Sequence, residues 1–259
     1  MEPNVQFISA TQAEGPRYHE PMDRHGTPRI AFFGGSFDPP HLGHLAVAKA
    51  VMEALHLDTV LFAPVGVQPL KPEGSTASFA DRLEMTRLAI AREAGFAVSL
   101  ADAPRPDGLP NFTLDTLRRL RAELPATGEL FCLMGADSFA NLHSWRGAAE
   151  IPFAASIVVA SRPGQSLDEL ARLLPAGLQF TAPVESPTET AKVERRIYDL
   201  RNAAGDSAAF YLLPGLDIPI SATEVRVQLR SQKRSGAIPG AVAAYIRDHG
   251  LYREADRLP

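Results

Sequence analysis

The stretch RIAFFGGSFDPPHLGHLAVAKAVMEAL, residues 29–55, decides the fold. It opens on RIAFF, an apolar and aromatic run bounded by Gly34 and Gly35, which predicts a short buried strand. The two glycines allow a tight turn and a close approach of the backbone to a ligand. The prolines that follow suit a helix entry, and the apolar spacing after them predicts a helix with His41 and His44 on one face of its first turn.

A strand, a glycine turn and a helix N-terminus together predict a site for phosphates, because free N–H groups and the helix dipole favour anions there. A crossover with incidental histidines is the plainer alternative for an isolated Gly-Gly or His pair. The complete string GGSFDPPHLGH resembles the GxFDPxHxGH signature of the HxGH nucleotidyltransferase superfamily. That resemblance implies a set of ATP-binding residues in this string: Gly34, Gly35, Ser36, Phe37, His41 and His44.

Length and composition are compatible with one α/β domain with additions. The chain has 259 residues, of which 45% are hydrophobic, and this is enough for a large core. Its net charge of −4 argues against a non-specific nucleic-acid binder but not against nucleotide binding. The single cysteine, Cys132, excludes a disulfide within the chain and a Cys-rich zinc site.

The N-terminal sequence MEPNVQFISATQAEG lacks the basic and apolar segments of a secretory signal. No window holds the roughly 18 apolar residues of a membrane span, so we expect no membrane contact and a cytoplasmic location. We divide the chain into a flexible N-terminal extension over residues 1–28, a nucleotidyltransferase domain over 29–253 and a tail over 254–259. Residues 185–207 are highly charged, and we interpret them as an insertion made of a helix with loops.

Alternating strand and helix patterns predict the architecture. DTVLFAPV, residues 58–65, forms a βαβ unit with the first strand and helix. Further strands and helices follow, so the fold class is α/β: a Rossmann-like doubly wound parallel sheet with helices on both faces and a small C-terminal helical part. In the helix predicted over 79–94, Arg82 and Arg87 are expected to be solvent-exposed.

The stretch MGADSFANLHSW, residues 134–145, offers several candidates. Gly135 ends a predicted strand, and Asp137 at its carboxyl edge either binds a ribose or caps the next helix. Trp145 either belongs to the core or stacks on a flat ring. Thr113 suits a helix cap.

This stretch closely resembles the G-A-D-S/N-x-x-x-L-x-x-W segment of bacterial nicotinate mononucleotide adenylyltransferases. The resemblance implies that Thr113, Asp137 and Trp145 surround the pyridine ring and its carboxylate. The related enzymes place a tyrosine before the threonine, where this chain has Phe112. Lys71 is either solvated or in contact with phosphate, and Arg162 faces either the mononucleotide or solvent. The implied mononucleotide-binding set is Lys71, Thr113, Gly135, Asp137, Trp145 and Arg162.

A third motif is ISATEVR, residues 220–226. Ser221 and Glu224 have the spacing of a capping box, which is a sufficient structural reason for both. The motif also resembles the superfamily signature I-S-S/T-T-x-x-R, with Ala222 where serine is common. The resemblance implies that Ser221, Thr223 and Arg226 contact the triphosphate of ATP.

The implied reaction joins ATP to nicotinate mononucleotide, giving deamido-NAD and pyrophosphate in NAD biosynthesis. His44, His41 and Arg226 are its expected catalytic residues, and Mg²⁺ is expected to travel with ATP rather than occupy a dedicated metal site. The alternatives are another acceptor (nicotinamide mononucleotide, phosphopantetheine or a flavin mononucleotide), a nucleotide-binding sensor without catalysis, and a class I aminoacyl-tRNA synthetase fragment. The residues alone leave open the choice between nicotinate and nicotinamide, and a homo-oligomer is compatible with the sequence.

Overall fold

The computed structural model describes residues 7–8, 27–70, 74–161, 167–185, 194–216, 218, 220–231 and 235–253. In chain order, its strands β1 to β9 are Phe7–Ile8, Arg29–Gly35, Thr59–Pro64, Phe96–Ser99, Glu129–Gly135, Ser156–Ala160, Leu178–Glu185, Arg196–Asn202 and Ser207–Leu213. Within these residues the strands pair into one sheet, in the order β1-β4-β3-β2-β5-β6-β9-β8-β7. The central strands of the sheet run parallel, and in sheet order these are β4, β3, β2, β5, β6 and β9. This arrangement confirms the predicted doubly wound architecture.

The strand order reverses next to β2, where β3 lies on one side and β5 on the other. Pairing of β2 with β3 continues to Gly35 and Pro64, whereas pairing of β2 with β5 ends at Phe32 and Cys132. The last residues of β2 and β5 therefore separate. Crevices of this kind, at the carboxyl ends of parallel strands and at a reversal of strand order, are where open α/β sheets bind ligands.

Helices cover both faces of the sheet, as predicted. In chain order, α1 to α8 are Leu42–Leu55, Phe79–Ile90, Thr113–Glu123, Ala136–Ala140, Ile151–Ala154, Leu167–Arg172, Ala222–Arg230 and Gly240–Asp248. Helices α1, α2, α7 and α8 contribute to one buried cluster, and α3 to α6 contribute to the other. Side chains of β2 alternate between them, with Phe33 in the first cluster and Phe32 in the second, as the period of a strand requires.

The sequence predicts an inserted helix with loops over residues 185–207. Over the described residues of this segment, 185 and 194–207, the prediction of a helix is wrong. Arg196–Asn202 is strand β8, which pairs antiparallel with β7 and β9. Its buried residues, Tyr198 and Leu200, are two positions apart, and this period of two is that of a strand. Charged neighbours hide the short alternation in the sequence. Residues 186–193 of the segment lie outside the described residues.

Of the predicted N-terminal extension, the structure describes Phe7–Ile8, which pairs antiparallel with β4, and residues 27–28. The flexible character of residues 1–28 and the tail over 254–259 stay predictions. None of the described helices has the length and apolar character needed to span a membrane.

Candidate active site

A cavity of about 1090 Å³ lies at the crevice between β2 and β5. Every predicted site residue that the structure describes lines it. These residues are Gly34, Gly35, Ser36, Phe37, His41, His44, Thr113, Gly135, Asp137, Trp145, Ser221, Thr223 and Arg226. Lys71 and Arg162, the remaining two predicted site residues, lie outside the described residues.

Helices α1, α3 and α7 each begin at the cavity, since their N-cap residues His41, Phe112 and Ser221 line it. Unpaired N–H groups and the positive end of the helix dipole at these termini favour anions. Helices α1 and α7 pack on one face of the sheet and α3 on the other, so the cavity has an α1–α7 side and an α3–α4 side. A ligand with several anionic groups suits this arrangement.

His41 and His44 form a reciprocal cap at the start of α1. The backbone N–H of His41 donates to Nδ1 of His44 at 3.1 Å, and that of His44 donates to Nδ1 of His41 at 3.3 Å. The two rings stack with their centroids 3.6 Å apart. Because a backbone N–H only donates, both Nδ1 atoms act as acceptors, and the neutral rings carry their protons on Nε2.

The surroundings keep both rings neutral at pH 7. Burial lowers the pKa of His41 to about 4. Burial, and secondarily the charge of His41, lowers the pKa of His44. Protonating either Nδ1 would also break the cap. The histidine pair therefore offers two Nε2–H donors, the groups needed to bind phosphate oxygens without a proton transfer.

Gly43, which lies between the two histidines, is required for space. A Cβ at Gly43 would lie 2.9 Å from Nδ1 of His41 and 3.0 Å from a methyl carbon of Ile218. A larger residue would push the His41 ring out of its stacked position. The glycine of the HLGH string thus maintains the geometry of the histidine pair.

The tight turn predicted at Gly34 and Gly35 is wrong, because both residues end strand β2 and neither has a positive φ. The left-handed backbone conformation falls instead at Phe37, whose φ of 46° is strained for a residue with a side chain. Its ring is buried and packs edge-on against His44, with centroids 5.0 Å apart. Packing of the Phe37 ring thus sets the path of the loop beneath the histidines.

Helix α7 adds a cationic group, Arg226, to the neutral histidine pair of the α1–α7 side. Ser221 is its N-cap, with Oγ accepting from the N–H of Glu224 at 3.2 Å, so this half of the predicted capping box is confirmed. Arg226 donates from Nη1 to the carbonyl of Asp38 at 2.7 Å and from Nη2 to Oγ1 of Thr223 at 3.2 Å. These bonds hold the guanidinium against the loop that precedes α1.

Arg82 is buried, so the prediction that it is solvent-exposed is wrong. Its guanidinium donates to the carbonyls of Ser36 at 2.7 Å, Val65 at 2.8 Å and Ala77 at 3.3 Å. Three chain segments that lie far apart in the sequence therefore meet at one side chain. Arg82 thereby anchors Ser36, in the loop that precedes α1. Arg87, by contrast, is half-buried and pairs with Glu84 at 3.3 Å.

Asp38 is the buried acceptor at the centre of this region, a role that the sequence patterns do not predict. Its carboxylate accepts from the N–H groups of Thr76 at 2.6 Å and Ala77 at 3.1 Å, and from the hydroxyl of Tyr252 at 2.7 Å. Burial and the carboxylate of Asp38 raise the pKa of Tyr252, which stays a neutral donor. The C-terminal segment after α8 is thereby tied to the loop that holds the histidines.

On the α3–α4 side, the predicted cap by Thr113 is wrong. Thr113 is the first residue of α3, and its N-cap is Phe112, which makes no side-chain cap hydrogen bond. The guanidinium of Arg146 lies over the Phe112 ring, with Cζ 3.9 Å from the centroid. Trp145 is half-buried and packs against the second core cluster while lining the cavity.

Asp137 lies in the first turn of α4, whose N-cap is Gly135, so Asp137 is not the helix cap. It is exposed and lines the cavity. A buried carboxylate that the sequence patterns do not predict, Asp102, also lines the cavity. Asp102 accepts from the hydroxyl of Thr116 at 2.5 Å, and burial raises its pKa. This bond fixes α3 relative to the end of β4.

Comparison with known proteins identifies the family. A model of the cytidylyltransferase-like family matches residues 32–228. A protein of Gloeobacter violaceus named "Probable nicotinate-nucleotide adenylyltransferase" is 36% identical over 226 residues, covering 86% of this chain and 96% of its own length. One of the same name from Chromobacterium violaceum is 40% identical over 226 residues, covering 87% of this chain and 99% of its own.

The chain belongs to the nicotinate-nucleotide adenylyltransferase family. A solved structure with a similar fold is nicotinic acid mononucleotide adenylyltransferase of Plasmodium falciparum, complexed with NaAD. It matches with a TM-score of 0.61 at 16% identity, covering 87% of this chain and 97% of that one. At this identity the likeness shows the fold alone, and it confirms the nucleotidyltransferase architecture.

Two departures from the pattern expected of nicotinate-nucleotide adenylyltransferases lie on different sides of the cavity. Phe112, where a tyrosine is expected, keeps its ring and stacks against Arg146. Ala222 replaces a serine at the first position of α7, where the backbone N–H remains available. Neither change removes a charged group or a helix N-terminus from the site.

Proposed function

We propose that this protein transfers the adenylyl group of ATP to nicotinate mononucleotide, giving deamido-NAD and pyrophosphate. The observation that carries the proposal is one cavity with two chemically different sides, in a chain of this family. The α1–α7 side offers imidazole and guanidinium donors at two helix N-termini. The α3–α4 side offers a half-buried tryptophan, an exposed carboxylate and a third helix N-terminus.

The reaction needs little covalent assistance from the protein. An oxygen of the mononucleotide phosphate, ionised at neutral pH, attacks the α-phosphorus of ATP. The bond from that phosphorus to the bridging oxygen breaks, and pyrophosphate leaves with the electron pair. The barrier lies in bringing two anions together and in stabilising charge on the leaving group, which positioning and electrostatics supply.

The residues of the α1–α7 side would bind ATP. In this proposal Nε2–H of His44 donates to the α-phosphate, and Nε2–H of His41 helps to hold the triphosphate. Arg226 and the N-terminus of α7 at Ser221 and Thr223 neutralise the outer phosphates. Residues 34–37 border the adenosine in this proposal. Lys71 adds a further contact to the phosphates.

The residues of the α3–α4 side would bind the mononucleotide. Asp137 accepts from ribose hydroxyls, Trp145 packs on the pyridine ring, and the N-termini at Thr113 and Gly135 suit its carboxylate. Arg162, which lies outside the described residues, completes the proposed mononucleotide-binding set.

Mg²⁺ would enter on the phosphates of ATP, where it would neutralise charge. Among the described residues, no group of three or more His, Cys, Asp or Glu side chains could hold a metal ion. The carboxylate of Asp38 is occupied by three hydrogen bonds, and that of Asp102 by one from Thr116. In this proposal the ion is bound chiefly by the substrate. Cytoplasmic location stays part of the proposal, as does a homo-oligomer as one allowed assembly.

The test is to identify the product. The protein is incubated with Mg-ATP and, separately, nicotinate mononucleotide, nicotinamide mononucleotide, phosphopantetheine or flavin mononucleotide. Mass spectrometry then detects the adenylylated product that forms. We expect deamido-NAD as the main product. Formation of a different adenylylated product at a higher rate would assign another acceptor, and ATP binding without any product would indicate a sensor.

A further inference from the structure

We infer that Arg146 is a specificity-determining residue, which favours an acceptor ring bearing a carboxylate over one bearing a carboxamide. The inference rests on the proposed adenylyl transfer and adds to it the group that reads the acceptor. The sequence motifs do not single out this arginine, which directly follows Trp145.

Arg146 is held in the cavity by two contacts with α3. Its Cζ lies 3.9 Å from the centroid of the Phe112 ring, and its Nη2 donates to a carboxylate oxygen of Asp115. Stacking on an aromatic face and pairing with a carboxylate orient the guanidinium plane. The Arg146 side chain is 54% exposed, and it lines the cavity beside Trp145. The guanidinium is thus oriented yet accessible to a ligand.

The positions of the arginines and lysines that line the cavity indicate which ligand group Arg146 can contact. Among the described residues that line the cavity, the arginines and lysines are Arg146 and Arg226. Arg226 is on the α1–α7 side, where it contacts Asp38 and Thr223. Among the described residues that line the cavity, Arg146 is therefore the one arginine or lysine on the α3–α4 side. This is the side proposed to bind the pyridine ring.

The chemistry of the guanidinium separates the two acceptors. Arginine only donates hydrogen bonds, and a carboxylate only accepts them, so the two groups match over both carboxylate oxygens. A carboxamide is neutral and presents an NH₂ group, which a donor-only side chain cannot satisfy. Asp115 offsets part of the charge of Arg146, so we expect a moderate preference and not an absolute one.

The experiment compares kcat/KM for nicotinate and nicotinamide mononucleotides, with pyrophosphate release as the readout. In Arg146→Gln the ratio of the two values should fall about tenfold or more, the range for a hydrogen bond to a charged group. The loss should appear mainly as a higher KM for nicotinate mononucleotide. Arg146→Lys keeps the charge without the planar stack and should restore part of the preference.

Arg118→Gln is the matched control. Arg118 is an exposed arginine on α3 that pairs with Glu150 at 2.5 Å and does not line this cavity. The ratio of the two kcat/KM values in Arg118→Gln should therefore match that of the unaltered protein. A ratio in Arg146→Gln within about twofold of the unaltered value would overturn the inference while leaving the proposed function intact. Equal use of both acceptors by the unaltered protein would also overturn it, and turnover of neither would overturn both proposals.

Discussion

His44 has one observed function and one proposed function, and two substitutions separate them. Its Nδ1 accepts from the N–H of His41 and so caps α1, while its Nε2–H is the proposed donor to the α-phosphate. His44→Asn retains a side-chain oxygen at about the reach of Nδ1 and has no group at the reach of Nε2. His44→Ala removes both. The comparison isolates the catalytic donor from the helix cap.

The expected magnitudes follow from the two functions. Losing one preorganised donor to a transition-state phosphate typically costs about 2.7–4 kcal/mol, or roughly 100- to 1000-fold in kcat. Both variants should show this loss. Losing the cap should cost the alanine variant about 1 kcal/mol of unfolding free energy more than the asparagine variant.

Steady-state pyrophosphate release measures the first effect, and urea unfolding measures the second. His56→Asn is the control, because His56 lies at the other end of α1, is exposed, and has a left-handed φ of 48° that asparagine tolerates. Its activity should be unchanged. A loss of less than tenfold in His44→Asn would refute the proposed role of Nε2, whatever the stability of the variant.

Three further predictions concern the buried arginine, pH and the acceptor side. Arg82→Met leaves three carbonyls without their donor and should lower the unfolding free energy by about 3 kcal/mol. The control variant Arg87→Met should lower it by about 1 kcal/mol or less. Equal losses of the two variants in urea unfolding would contradict this account of Arg82. Because burial lowers the pKa of His41 from 6.5 to about 4, the contribution of His41 to stability should be fully present above pH 6.5 and fall by about 3 kcal/mol as the pH drops to 4. His41→Gln should flatten that dependence in thermal melts, and an unchanged slope would argue against a buried neutral ring. Titration with nicotinate mononucleotide should quench the fluorescence of Trp145, the only tryptophan, and a constant spectrum would exclude contact with the ring.

The sequence predicts the centre of the fold well, because there the local patterns and the tertiary packing agree. The strand over Arg29–Gly35, helix α1 and the parallel neighbour over Thr59–Pro64 appear where the apolar patterns place them. These segments are buried or amphipathic with clear periods. The β8 strand was missed because its two buried residues, Tyr198 and Leu200, stand among charges that suggest a solvated helix.

The sequence motifs predict residues that line the cavity, but they do not predict the contacts that hold the cavity in place. Contiguous motifs identify the residues that line the cavity, because each motif places several polar groups at one helix N-terminus. The burial of Arg82 and the bond from Tyr252 to Asp38 depend on contacts between segments up to 214 residues apart. No local period encodes such contacts. Arg82 occupies the core face of an amphipathic helix, and that position was the one available signal.

The measurement that tests the central claim most directly is pyrophosphate release in the presence of Mg-ATP, with nicotinate and nicotinamide mononucleotides compared at equal concentrations. We predict release that matches the consumption of nicotinate mononucleotide and a clear preference for it over the nicotinamide form. No release with either mononucleotide, from protein shown to be folded and to bind ATP, would contradict the account of this cavity as an adenylyl-transfer site for pyridine mononucleotides.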